Sequence, residues 1–138
     1  MSSHYIPDKL RQKVKQRADN RCEYCLLHQD DFFFSFEIDH ILSLRHEGKT
    51  KLDNLALSCS TCNRNKAADI GTYLDSKMQF VRLFNPRIDI WSEHFEINRG
   101  EIIALSLIGQ ATIKLLDLNQ PDRIILRQVL IQAKRYPF

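Results

Sequence analysis

The stretch CSTCNRNK, residues 59–66, sets two cysteines apart by two residues, and RCEYC, residues 21–25, repeats that spacing. These are the chain's four cysteines. A C-x-x-C turn offers both sulfurs to one ion, and two such pairs complete a closed tetrahedral thiolate shell around Zn²⁺. Cys22, Cys25, Cys59 and Cys62 are therefore candidate ligands of a structural zinc with no open position. The alternative pairing, disulfides, suits an oxidising compartment, whereas this composition points to the reduced cytoplasm. The pairs are separated by 33 residues, more than a plain zinc ribbon uses, so the insert is a folded element. Asn63 follows the second pair at once. It is either filler behind the zinc or a ligand of a second metal.

The insert and its flanks read as strand, loop, strand, helix. CEYCLLHQDD (22–31) forms a turn, and FFFSFEI (32–38), rich in aromatics, reads as a strand. That strand delivers Asp39 and His40 at its far end. ILSLRHEGKTKLDN (41–54) is a polar loop, LALS (55–58) a second short strand, and NRNKAADIGTYLDSKMQFV (63–81) reads as a helix with a break at Gly71. Neighbouring residues on a strand point to opposite faces, so one of Asp39 and His40 can bind a metal while the other faces a water. The Asp39 carboxylate and the Asn63 amide oxygen suit a hard cation that keeps several waters, Mg²⁺ or a similar ion. His40, with its near-neutral pKa, suits a general base. Asn54 sits where it can lock the loop or orient the histidine.

Taken in order, RCEYC (21–25), EIDHI (37–41), LDNLALSC (52–59) and CSTCNRNK (59–66) resemble the HNH nuclease family, the ββα-metal or His-Me finger nucleases. The resemblance covers roughly residues 8–75. It implies that His40 activates a water, that Asp39 and Asn63 hold a catalytic divalent metal, Mg²⁺ or Mn²⁺, and that Asn54 positions the loop. Asparagine at 63, where histidine is frequent, makes this an H-N-N variant. The expected product is an α+β chain: a ββα-metal finger with an N-terminal helix and a small C-terminal α/β extension (about 80–138), all within a single domain, 1–138. The expected activity is hydrolysis of DNA phosphodiester bonds, with RNA as a further substrate class.

The remaining segments add partners rather than chemistry. The net charge is +3, too mild to identify a nucleic-acid partner by itself. However, DKLRQKVKQRADNR (8–21) holds six basic and two acidic residues, which suits either a phosphate backbone or a solvated face. It reads as a helix opened by Pro7 and Asp8, with Leu10, Val14 and Ala18 as a narrow apolar stripe. Lys13 and Arg17 on this helix, with Arg64 and Lys66 after the second cysteine pair, are candidate nucleic-acid contacts. LFNPRIDIWSEHF (83–95) reads as a loop whose Arg87, Trp91 and His94 pack or cap before they touch nucleic acid. Two strands follow around an Asn98-Arg99-Gly100 turn, then a helix from about 109 to 118. Last comes a helix from Pro121 to about Arg135 with Ile125, Val129 and Ala133 on its apolar face. The longest apolar run, Ile102–Ile108, is far below the about 20 residues of a membrane span, and MSSHYIPDKLRQ (1–12) carries no signal-like apolar core. Two other classes compete: a non-catalytic zinc module that binds nucleic acid, needing neither Asp39 nor His40, and an interaction domain that docks a protein through its C-terminal half.

Overall fold

Helix α1 (Asp8–Arg17) begins behind Pro7, whose fixed φ of −59° leads the chain into the first turn. Asp8 sits at the positive end of the helix dipole, and Lys15 and Arg17 at the negative end. Val14 is buried and Leu10 and Ala18 pack half-buried against the same core, so the narrow apolar stripe is the inward face. The computed structural model describes residues 5–75 and 78–137.

After a turn at residues 22–27, strand β1 (Glu37–His40) pairs antiparallel with β2 (Leu55–Ser58), Glu37 opposite Ser58 and His40 opposite Leu55. Every residue of β2 is buried. Helix α2 (Ser60–Lys66) follows directly. Thus the order strand, strand, helix appears as expected, with the second cysteine pair at the corner. The aromatic run does not extend β1. Residues 32–36 form a loop, because β2 has only four residues before Cys59 turns into α2, so there is nothing further to pair with. The Gln29 side chain satisfies this loop instead, donating to Phe34 O (2.7 Å) and accepting from Phe36 N (2.6 Å). Phe36 is buried, whereas Phe33 and Phe34 are exposed.

The helix expected over 63–81 stops at Lys66. Its remainder is a hairpin, β3 (Gly71–Leu74) and β4 (Gln79–Arg82), with residues 76–77 of that stretch outside the described part. Thr72, Tyr73, Phe80 and Val81 are good strand formers, and the Tyr73 and Phe80 rings meet edge-on across the pair, 5.3 Å apart. Gly71 is required there: a Cβ would lie 2.6 Å from both the Phe80 ring and Val81 O.

A short helix α3 (Trp91–His94) leads into β5 (Phe95–Asn98), which pairs with β6 (Glu101–Ala104). Arg99 and Gly100 both have positive φ, 53° and 86°, as the two-residue turn of a tight hairpin requires. Helix α4 (Leu107–Leu116) is capped by Ser106, whose Oγ accepts from Gly109 N at 3.0 Å. It packs on β3, β4 and β6. Helix α5 (Pro121–Gln132) has Pro121 in its first turn. Its facing differs from the expected one: Ile125 and Val129 are 56% and 58% exposed, and the buried residues are Arg123, Arg127 and Leu130.

The chain is thus α+β, with three separate antiparallel strand pairs among the described residues. One apolar cluster runs from Ile6 and Val14 through Tyr24, Leu55 and Leu57 to Phe84, Phe95, Leu116, Leu130 and Tyr136, so both halves of the chain contribute to it. Among the described residues, no helix is long and apolar enough to cross a membrane.

Candidate metal centre and active site

Two tight turns bring the four cysteines together. In the first, Cys22 N donates to Leu27 O (2.8 Å) and Leu26 N to Cys22 O (2.9 Å), with Leu26 in the left-handed region at φ 68°. In the second, Cys59 caps α2, its Sγ accepting from Cys62 N. The two turns are held together by a ladder-like exchange: Glu23 N donates to Leu57 O (2.8 Å), and Leu57 N to Glu23 Oε2 (2.8 Å). All four sulfurs are buried and lie within 4.8 Å of one another, Cys25 and Cys59 at 3.7 Å. Metal–sulfur bonds of about 2.3 Å in a tetrahedron put the sulfurs about 3.8 Å apart, so this arrangement is the size of a four-thiolate metal shell. Burial pushes the Cys22 and Cys62 thiols well above their usual range. Cys25 is equally buried, but the neighbouring sulfurs and the Arg123 charge hold it low. Four buried sulfurs this close together are a donor set that fits one metal cation, which would take them as thiolates.

The end of β1 forms a second constellation. Asp39 is only 4% exposed; Tyr24 Oη donates to its Oδ2 at 2.7 Å and Lys66 Nζ to its Oδ1 at 3.2 Å. Lys66, 1% exposed, also donates to His40 O at 3.0 Å, tying α2 to the strand end. Burial raises the Asp39 pKa, against the opposing pull of Lys66 and Tyr24. The His40 ring is half-buried, with Nε2 at 2.9 Å from Thr50 Oγ1. Asn54 spans the loop: its Oδ1 accepts from Leu42 N (2.8 Å), and its Nδ2 donates to Leu42 O and Lys49 O (both 2.9 Å). Gly48 belongs to this closure, since a Cβ there would come within 1.7 Å of Leu42 O. Asp39, His40, Ser43, Arg45 and Asn63 line one cleft of about 620 Å³. Ser43 Oγ, in a residue 5% exposed, has no hydrogen-bond partner among the described residues.

Residues 22–69 match the family HNH endonuclease. They are an HNH domain. The chain is 31% identical over 121 residues to the Septu protein PtuB of Bacillus thuringiensis, an alignment covering 86% of this chain and 44% of that relative. The chain therefore spans less than half the length of the relative it matches. No solved structure gives a significant match.

Within the HNH domain, Asp39, His40 and Asn63 share the cleft, and Asn54 braces the loop beside it. Two of the four residues expected to meet nucleic acid are turned to other work. Lys66 is buried on Asp39, so its amine is withdrawn from the surface. Arg17 donates to Leu52 O and Leu55 O, which fastens α1 to the start of β2. Arg64 and Lys13 are exposed, and so is Arg17 despite its two carbonyl contacts. Arg87, Trp91 and His94 pack: Arg87 donates to Glu23 and to Leu55 O, Trp91 Nε1 donates to Tyr24 O (2.9 Å), and His94 Nδ1 meets Ser106 Oγ (2.6 Å). Sequence reading missed Tyr24, Ser43, Thr50 and Arg123. Lys66 carried a usable signal: it lies four residues after Cys62, hence on the same inward face of α2.

Proposed function

We propose that the HNH domain is a metal-dependent endonuclease acting on DNA, with a structural Zn²⁺ on Cys22, Cys25, Cys59 and Cys62. The observation that carries this reading is the convergence of Asp39, His40 and Asn63 on one cleft beside the four-cysteine cluster. His40 takes the proton from an attacking water, and Thr50 steadies the ring through Nε2. Asn54 holds the loop that carries Ser43 and Arg45 along the cleft. Asp39 and Asn63 would hold a catalytic Mg²⁺ or Mn²⁺, with Asp39 giving up a contact to Tyr24 or Lys66, and the ion would supply stabilisation of the charge developing on phosphate and leaving oxygens. Arg64 and Lys13 add sequence-independent attraction to the phosphate backbone.

A second reading has its own support. Both Asp39 oxygens already have partners, Tyr24 and Lys66, as they would in a non-catalytic zinc module that binds nucleic acid. Incubating the purified chain with supercoiled plasmid, with Mg²⁺ or Mn²⁺ against chelator, separates the two. Relaxed or linear product that requires the divalent ion is expected; binding without cutting under every ion favours the module.

A further inference from the structure

Helix α5 turns a basic face inward. Arg123 and Arg127, one turn apart, are 7% and 0% exposed. Burying a guanidinium is costly unless it meets acceptors or negative charge. Arg127 donates to Gly100 O, Leu118 O and Asn119 Oδ1, all within the C-terminal half. Arg123 reaches further. Its Nη1 donates to Leu116 O (2.8 Å) and Asp117 O (3.2 Å), and its Nη2 lies 2.9 Å from Cys62 Sγ and 3.9 Å from Cys59 Sγ.

We propose that Arg123, outside the HNH match, is an outer-sphere partner of the metal–thiolate centre that strengthens metal retention. The proposal rests on the zinc reading of the cysteines and is independent of catalysis. Four thiolates around a dication leave a net charge of about −2 in a dry site. Arg123 offsets part of it from inside the same dry region, where charge pairs interact strongly. Its N–H groups also fix the lone pairs of the Cys62 and Cys59 sulfurs. A guanidinium keeps its protons at any ordinary pH, so it stabilises the thiolate without protonating it off the metal. Contacts to the first cysteine turn, Trp91 Nε1 to Tyr24 O and Tyr136 Oη to Cys25 O (2.8 Å), address backbone rather than sulfur. That contrast provides a control.

The test is zinc affinity by chelator competition on the full chain, for the parent, Arg123→Met, Arg123→Lys and Tyr136→Phe. Metal content of each is measured first. Loss of an outer partner typically weakens metal binding about 10–100-fold, and that drop is expected for Arg123→Met. Arg123→Lys, which keeps the charge but loses the planar fork, falls between, and Tyr136→Phe stays near the parent. Parent-like affinity in either Arg123 variant overturns the proposal. So does Tyr136→Phe weakening as much as Arg123→Met, since the effect is then general loosening. Should Arg123→Met fail to fold, Arg123→Lys carries the comparison. A parent that holds no zinc even when supplied overturns the metal reading itself, a failure visible before any variant is compared.

Discussion

Lys66 and Asp39 face each other almost wholly out of water. Breaking such a pair from one side leaves an uncompensated buried charge, at a cost of about 3–5 kcal/mol. Lys66→Met is therefore expected to lower the urea midpoint strongly, and the double variant Lys66→Met, Asp39→Asn to recover part of the loss. A lysine that instead served DNA phosphates would leave the midpoint alone and change only the salt dependence of binding. The position was readable from Cys62 at i−4; the partner was not, since Asp39 lies 27 residues away. At the cleft, His40→Ala is expected to lower cleavage by about 10²–10⁴-fold while zinc content and DNA binding stay near the parent's. The His40 ring meets Thr50 Oγ1 at the loop, and its backbone O accepts from Lys66. If Asn63 holds the proposed divalent ion, raised Mn²⁺ is expected to restore part of the rate of Asn63→Ala and almost none of the histidine variant's. Two variants that cut like the parent would remove these residues from the mechanism.

At the scale of elements, α1 shows why a run of basic residues is not one surface. Arg17 and Lys13 are both exposed on this helix, but Arg17 donates to two carbonyls near β2. In a titration of DNA affinity against salt, Lys13→Ala with Arg64→Ala should flatten the log–log slope by about 0.9 per lost phosphate contact. Arg17→Ala should instead lower thermal stability, because it releases α1 from β2. An equal slope change from Arg17→Ala, with stability unchanged, would return that residue to the DNA-binding set. The elements themselves were legible where local chemistry decides them: Pro7 and Asp8 for α1, Leu55–Ser58 for β2, Arg99-Gly100 for the β5–β6 turn. They were misread where a distant partner decides. The stripe Ile125, Val129, Ala133 has helical spacing, yet α5 rolls so that Arg123 and Arg127 face inward, drawn by sulfurs and carbonyls 6 to 64 residues away along the chain. The stretch 63–81 has few breakers, but β-forming Thr72, Tyr73, Phe80 and Val81 find one another across a hairpin, which helical periodicity does not reveal.

Across the whole molecule, the two halves meet at the cysteine turns. Arg87 on Glu23, Trp91 on Tyr24, Tyr136 on Cys25 and Arg123 on Cys62 come from four places after residue 80, and all land on or beside the cysteine turns. The order of motifs announced the finger and its four-cysteine cluster, but no residue pattern in 83–138 announced that this region would close over them, because its contacts are single hydrogen bonds spread along the chain. The apolar core is likewise shared, with Tyr24 and Leu57 in the same cluster as Phe95 and Tyr136. Structural zinc contributes apparent free energies of about 10–16 kcal/mol in small metal-held folds, comparable with the about 5–15 kcal/mol by which a whole domain is stable. Stripping the metal is therefore expected to unfold more than the finger. Hydrogen exchange after chelation should show protection falling together in β1, β2 and α2 and in β5, β6 and α5, and calorimetry of the metal-loaded chain should give one transition. Loss confined to residues 22–69, with α5 still protected, would mean that the C-terminal half stands as a body of its own and leans on the metal turn without depending on it.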